Sequence, residues 1–418
     1  QAAGTRARSR VSDPTSGAAA PILTIAGGAG AMGSLFAELL LPRVRACLIV
    51  DLFSSETATG PIRSVPLSPV VERLTALLAA GGEEAQLLGW RRDAAGSTVL
   101  STGKEVRAAP AWLLFRRGGA PIDAPATGAA PRDIHETLAQ LTSLPGVTRV
   151  VGLLDPSEAK TAAQLCDILL VATSFTSPAQ FRVLLAPYAA GLRPGSLAVD
   201  VLSLKERPLL ELASLLPTPV GILGTHPLFG RTAGDVTGLV VSVVESPDAR
   251  PTVAWQHWFL EQLAELGMLI TPTTAAEHDA AMSFVQSLTH FALLSFAFTF
   301  VRANQDPTQL LPYRTPVFEP MLYLAARVAS LAHRTPEVYR AIQEECSRPE
   351  LRRLFVETAQ DLLRAIEDPG GDEARGRGGD EARTRDGAGH DRSQEGDMTR
   401  EPGEAVVLSV PCLLYTSD

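Results

Sequence analysis

The chain has 418 residues, 45% of them apolar, with 46 acidic against 37 basic side chains and a formal charge of -9. That length and apolar fraction support a large buried core and two to three domains. A net acidic surface attracts neither nucleic acid nor an anionic membrane, which argues against both as partners.

Four cysteines (Cys47, Cys166, Cys346 and Cys412) stand far apart with no C-x-x-C pair. The spacing fits neither a disulfide framework nor a zinc site and suits a reducing compartment, so a cytoplasmic location is expected. No segment reaches the roughly 18 apolar residues of a membrane span. The longest, Phe291 to Val301, reads as a buried helix. The Arg/Ser/Ala-rich start has no apolar export segment, although its arginines also suit an organelle transit remnant.

Ile22 to Ala26 is a short apolar run followed at once by glycines, the pattern of a buried parallel strand. A helix over Ser34 to Leu41 stops at Pro42, and Ala46 to Asp51 gives a second strand ending in an acid. From about Glu56 to Gly146 the α/β rhythm breaks, with one helical stretch (Val70 to Ala80) and a hairpin expected around Thr98 to Phe115. A structureless loop of this length is improbable, so this is an inserted subdomain or a mobile excursion. Strands then recur at 149–154, 167–173, 195–200, 220–226, 239–244 and 268–271, with helices expected over Ser157 to Leu165, before Gly195 and over Val253 to Leu266. After Pro272 only helices are expected: Thr274 to Asn304, Thr315 to His333, Pro336 to Glu345 and Pro349 to Ile366. A helix apolar on several faces must be covered on several sides, which points to a homodimer.

The predicted organisation is therefore a disordered N-terminus at 1–20 and a dinucleotide-binding domain at 21–270 with an insertion at about 56–146. An all-helical substrate and dimerisation domain at 271–367 and a disordered Gly/Asp/Glu/Arg-rich tail at 368–418 follow. The fold class is α/β, a Rossmann-like doubly wound sheet followed by an all-α domain.

Gly28-Ala-Gly30-Ala-Met32-Gly33 is a G-x-G-x-x-G turn. Alone it is weak. Here it follows a strand, opens a helix, and is answered by Asp51 at the end of the next strand, the context the motif requires. Gly28 is expected to make the tight turn and Gly30 to admit a pyrophosphate at the helix N-terminus. Asp51 would bind the ribose diol and repel a 2′-phosphate, favouring NAD over NADP; Asp155, also at a strand end, is the rival for that role.

His226 lies in Gly224-Thr-His-Pro-Leu-Phe-Gly230, at the carboxyl end of a strand, where open α/β sheets bind ligands. A lone histidine is often only a hydrogen-bonded loop residue, but Ser203 and Lys205 follow a neighbouring strand on the same rim. Either of those could instead be a helix cap or a solvated charge. In the long helix Ser283, Gln286 and His290 share a face at helical spacing. Arg327 sits in an apolar helix, and a buried guanidinium needs an anion. Asp279 or Glu277 could supply it, or a substrate carboxylate could bind in bidentate fashion.

Together these blocks resemble the prephenate dehydrogenase family, which includes arogenate dehydrogenases. The matching stretches are GGAGAMGSLFAELL at 27–40, VDVLSLKE at 199–206, GTHPLFG at 224–230, EHDAAMSFVQSLTHF at 277–291, and TPVFEPMLYLAARVASL with PEVYRAIQ across 315–343. The resemblance implies NAD(P)-dependent oxidative decarboxylation of a cyclohexadienol, prephenate going to 4-hydroxyphenylpyruvate in tyrosine biosynthesis. It implies that His226 accepts the C4 hydroxyl proton, that Ser203 hydrogen-bonds the same hydroxyl and His226, and that His290 and Arg327 orient the substrate. Lys205 matches a lysine of the same rim, and it and Gln286 are expected to contact the substrate. Aromatisation drives loss of carbon dioxide, so no metal is expected. Arogenate, 4-amino-4-deoxyprephenate, and a non-catalytic NAD-sensing role are the alternatives. A β-hydroxyacid dehydrogenase is weaker, because it wants a lysine in the helical domain and no Lys follows Lys205. No chorismate mutase bundle in front and no ACT-type domain behind are recognised, so feedback inhibition through such a domain is not expected.

Overall fold

The computed structural model describes residues 20–51, 53–54, 65–79, 82–92, 98–103, 106, 109–117, 133–231, 234–245, 253–334, 340, 342–344 and 348–367. The disordered segments expected at 1–20 and 368–418 lie outside them but for residue 20, as does most of the helix expected at Pro336 to Glu345.

β1 (Ile22–Ala26) and β2 (Ala46–Val50) are buried at every position and apolar but for Thr24, whose hydroxyl donates to the Ala162 carbonyl at 3.1 Å, as strands covered on both faces should be. α1 (Ala31–Leu40) joins them, and Pro42 sits in the single 3-10 turn that follows it. Next come a two-residue pair, β3 (Phe53–Ser54) with β4 (Val65–Pro66), then α2 (Leu67–Ala79), β5 (Glu83–Arg92), β6 (Thr98–Thr102), β7 (Ala111–Arg117) and α3 (Ile134–Ser143). Alternation resumes with β8 (Val147–Leu154), α4 (Ala159–Leu165), β9 (Ile168–Val171), α5 (Pro178–Ala189), β10 (Leu197–Asp200), α6 (Glu206–Leu215) and β11 (Gly221–Pro227). β12 (Val240–Glu245), α7 (Ala254–Glu265) and β13 (Leu269–Thr273) complete the strand-bearing part.

The main sheet runs β13-β12-β11-β10-β9-β1-β2-β8-β7-β5-β6. Its central six strands, β8 to β11 in that order, are all parallel. The chain builds outward from β1 to β2 and β8, then crosses back to β9, so the switch point lies between β1 and β9. That is the order of a doubly wound dinucleotide-binding sheet. One face carries Phe36, Leu40, Leu74, Phe259 and Leu263 from α1, α2 and α7; the other carries Leu138, Ala162, Phe181, Leu209 and Leu212 from α3 to α6. Each large apolar side chain buried this way contributes about 1.5–3 kcal/mol of transfer free energy.

The insertion continues the main sheet: β7 pairs antiparallel with β8, and β5 with β7. The hairpin expected over Thr98 to Phe115 does not form, because β6 and β7 flank β5 on opposite sides and pair with it, not with each other. β5 escaped sequence reading because it begins Glu83-Glu84 and lacks clean alternation.

Beyond Thr273 the described elements are helical: α8 (Ala275–Met282), a π-helical stretch Ser283–Leu288, α9 (Thr289–Arg302), α10 (Phe318–Arg334) and α11 (Pro349–Glu367). α8 through α9 form one helix of 28 residues whose apolar window reaches a mean hydropathy of 1.5, long and apolar enough to cross a membrane. This corrects the expectation that no segment meets that test; counting unbroken runs overlooked it because Ser, Thr, Gln and His interrupt the stretch. The chain divides into two compact units, Gln1–Phe355 and Val356–Asp418.

Candidate active site

The glycine turn sits at the switch point. Gly27 has φ of +76°, and a Cβ there would stand 2.9 Å from the Ala172 carbonyl oxygen. Gly27, not Gly28, therefore makes the left-handed turn, correcting the sequence assignment; the doubled glycine was the available signal. Gly28 is needed for packing, since its Cβ would meet Ile49 Cγ2 at 2.7 Å. Gly33 lets α1 approach the turn, with a Cβ there only 2.3 Å from the Gly27 oxygen. Gly30 caps α1 without any side-chain hydrogen bond, so the helix N-terminus keeps its amides for a ligand. Met32 is half-buried and packs against the core beside α1.

A cavity of about 860 Å³ opens here, lined among others by Gly27, Gly30, Asp51, Thr173 and Gln180. Asp51 Oδ2 accepts the Ala29 amide at 2.9 Å, so the acid both shapes the turn and faces the cavity. Asp155 instead precedes a 3-10 turn after β8, and burial raises its carboxyl above the ordinary value.

His226 ends β11 on the same carboxyl edge and is 5% exposed. Its Nδ1 lies 2.9 Å from Nε2 of His278, itself 2% exposed, and His278 Nδ1 lies 2.7 Å from Asp279 Oδ1. Burial, then the Lys205 ammonium and the neighbouring His278, hold His226 well below the usual histidine value. It is a neutral imidazole at physiological pH.

Lys205 is wholly buried, unlike the solvated or substrate-facing lysine expected. Its Nζ pairs with the equally buried Asp200 and donates to the Thr225 carbonyl at 2.8 Å, pinning β11 to β10 one residue before His226. This corrects its assignment as a substrate contact: the ammonium holds the strand that carries His226. Ser203 is half-buried in the loop between β10 and α6.

The π-helical stretch Ser283–Leu288 alters the helical spacing on which the shared face of Ser283, Gln286 and His290 was predicted. Ser283 is buried and donates to the Ala280 carbonyl at 2.6 Å, a structural role. Gln286 and His290 are half-buried, and burial lowers the His290 pKa. The Gln286 Oε1 is buried and carries no hydrogen bond among the described residues.

Arg327 is exposed in this chain, not buried as expected, because only Ala325 and Val328 of its segment face inward. Its guanidinium lies against the His226 loop: a Cβ on Gly230 would stand 3.9 Å from Arg327 Nη2. The two carboxylates considered as partners are engaged elsewhere. Glu277 closes a capping box with Thr274, and Asp279 accepts the Lys205 and Glu206 amides at 3.0 and 2.9 Å. Arg231, which the sequence reading passed over, ties the loop after His226 to α1 through Ser34 (2.8 Å) and Glu38 (3.2 Å).

Residues 274–375 match the family model described as prephenate dehydrogenase, dimerization domain. The T-protein of Enterobacter agglomerans is 36% identical over 141 residues, 34% of this chain and 35% of that protein. The probable arogenate/prephenate dehydrogenase of Methanocaldococcus jannaschii is 26% identical over 208 residues, 50% of this chain and 45% of that protein. The 4-amino-4-deoxyprephenate dehydrogenase of Streptomyces pristinaespiralis is 30% identical over 187 residues, 43% of this chain and 60% of that protein. The chain thus spans roughly a third to three fifths of the length of these relatives. The resemblance to the prephenate/arogenate dehydrogenase family is borne out, through the family's dimerization-domain model over 274–375 and through relatives that carry those names.

Proposed function

We propose that the chain is a prephenate dehydrogenase that converts prephenate to 4-hydroxyphenylpyruvate with NAD. The observation that carries this reading is His226, buried and neutral at the carboxyl edge of the sheet, with the Arg327 guanidinium against its own loop. The close approaches at Gly27, Gly28 and Gly33, the uncapped start of α1 and the Asp51-lined cavity fit a dinucleotide. When bound, that group supplies the hydride acceptor. His226 Nε2 takes the C4 hydroxyl proton, Ser203 hydrogen-bonds that hydroxyl, and Arg327 receives a carboxylate. Gln286 and His290 orient the ring, and aromatisation drives carbon dioxide loss without a metal. A proton-accepting imidazole suits a C4 hydroxyl, which favours prephenate or arogenate over a 4-amino analogue.

Exposed Phe298 and Val301 on α9 and Tyr323 and Leu324 on α10 support a homodimer through the helical region of a cytoplasmic enzyme. The test of the activity is direct. Prephenate, arogenate and 4-amino-4-deoxyprephenate are each incubated with the chain and NAD or NADP while reduced nicotinamide absorbance is followed. Turnover of prephenate with NAD is expected; no turnover with any pair rejects the reading in favour of an NAD-sensing protein.

Two further outcomes follow from the site. Asp51→Ala removes a charged hydrogen-bond acceptor worth about 1.5–3 kcal/mol, so KM for NAD should rise roughly 10- to 100-fold while discrimination against NADP narrows. Steady-state titration of both cofactors checks this, and an unchanged NAD KM transfers the ribose role to another residue. The second outcome concerns pH. Unfolded, His226 takes up a proton near its ordinary value of 6.5; folded, it does so only at lower pH. Below 6.5 the unfolded chain therefore binds more protons, and stability present above that pH is lost as pH falls. Melting curves across pH 5 to 8 should show a shallower acid decline for His226→Asn, with His290 contributing a smaller share of the same sign.

A further inference from the structure

Behind His226 stands a row of polar groups that the proton transfer does not itself require. His226 Nδ1 meets His278 Nε2 at 2.9 Å, and His278 Nδ1 meets Asp279 Oδ1 at 2.7 Å. A carboxylate can only accept, so His278 Nδ1 must carry its proton. With its proton on Nδ1, His278 presents the lone pair of Nε2, and His226 Nδ1 donates to it. What remains on His226 is Nε2 with a free lone pair, the tautomer a proton acceptor needs.

Asp279 is itself held in place. Its Oδ1 accepts the Lys205 amide at 3.0 Å and its Oδ2 the Glu206 amide at 2.9 Å, at the start of the ten-residue helix α6. A helix N-terminus favours a negative group, and these two amides hold the carboxylate in place. The other charged groups facing this row are Lys205 and Asp200, paired with each other, of which the Lys205 ammonium also bears on His226.

We propose that His278, oriented by Asp279, is a positioning residue that locks His226 in its Nδ1–H tautomer and thereby makes Nε2 the proton acceptor. The catalytic part of this inference rests on the proposed dehydrogenase reaction; the tautomer lock does not, and it can be read without substrate.

The test uses the full chain with ¹⁵N-labelled histidine, the His226 resonances being identified by their loss in His226→Asn. Wild type should show His226 protonated at Nδ1 and bare at Nε2. In Asp279→Asn the amide oxygen, in the place of Oδ2, keeps the Glu206 amide and the longer 3.3 Å contact with the Lys205 amide, while the NH2, in the place of Oδ1, faces His278. That moves the His278 proton to Nε2 and forces His226 into the Nε2–H form. Its kcat should fall by about 10²- to 10⁴-fold with KM for NAD unchanged. His278→Gln, whose carbonyl can still accept from His226 Nδ1, should retain the tautomer and most of kcat, whereas His278→Leu should lose both. An Asp279→Asn chain that keeps His226 in the Nδ1–H form overturns the proposal, as does His278→Leu with the turnover of His278→Gln. If wild type turns over no substrate while the tautomer follows the variants as described, the dehydrogenase reading fails and the lock stands.

Discussion

His226→Asn is expected to lower kcat by about 10²- to 10⁴-fold, the usual contribution of one positioned proton acceptor. Asparagine fills part of the same volume and can still meet His278 with a polar atom, but it cannot take up a proton from a hydroxyl. The loss should therefore fall on kcat and leave dinucleotide affinity near wild type, since Asp51 and the glycine turn belong to other strand ends. Single-turnover rates with prephenate and NAD, beside equilibrium binding of NAD alone, separate the two quantities. A kcat within tenfold of wild type removes His226 as the acceptor; a parallel loss of NAD binding shows that the substitution has disturbed the whole carboxyl edge.

Much of this site was legible in the sequence because strand ends are marked by composition. The runs Ile22–Ala26, Ala46–Val50 and Gly221–Pro227 stop at Gly27, Asp51 and Leu228, so His226 and Asp51 could be set on one rim before any coordinates. Environment was less legible than position. Lys205 looked like a rim cation because nothing local distinguishes a lysine that turns inward to Asp200 from one that turns out; the pair is made across a β10–α6 loop. His278 and Asp279 were visible as part of an EHD stretch, yet their contact with His226 joins residues 52 apart and has no periodic signature. The π-helical turn at Ser283–Leu288 breaks the 3.6-residue spacing from which a common face was inferred. The hairpin expected inside the insertion was misread for a different reason. Its strands are edge-ward and polar at their ends, and only pairing with β8, itself buried from Val150 to Leu154, makes them part of the sheet.

Lys205→Met should destabilise the fold by about 3–5 kcal/mol, the cost of leaving one member of a fully buried ion pair without its partner. Methionine matches the length of the lysine stem, so the cavity term is small and the loss is electrostatic. Asp200 stays behind at 0% exposure, with burial pushing its carboxyl up and the ammonium that pulled it back now gone. The Thr225 carbonyl loses its 2.8 Å donor at the same time, immediately before His226. Denaturant unfolding of Lys205→Met, Asp200→Leu and the double variant separates these effects. Because an apolar pair of similar volume is often neutral in place of a buried ion pair, the double variant should recover most of the loss. Its kcat should nevertheless stay below wild type, since the strand carrying His226 has lost the tether from β10. A single variant that costs under about 1 kcal/mol means that Asp200 has found water or another donor, and the pinning role of Lys205 falls with it.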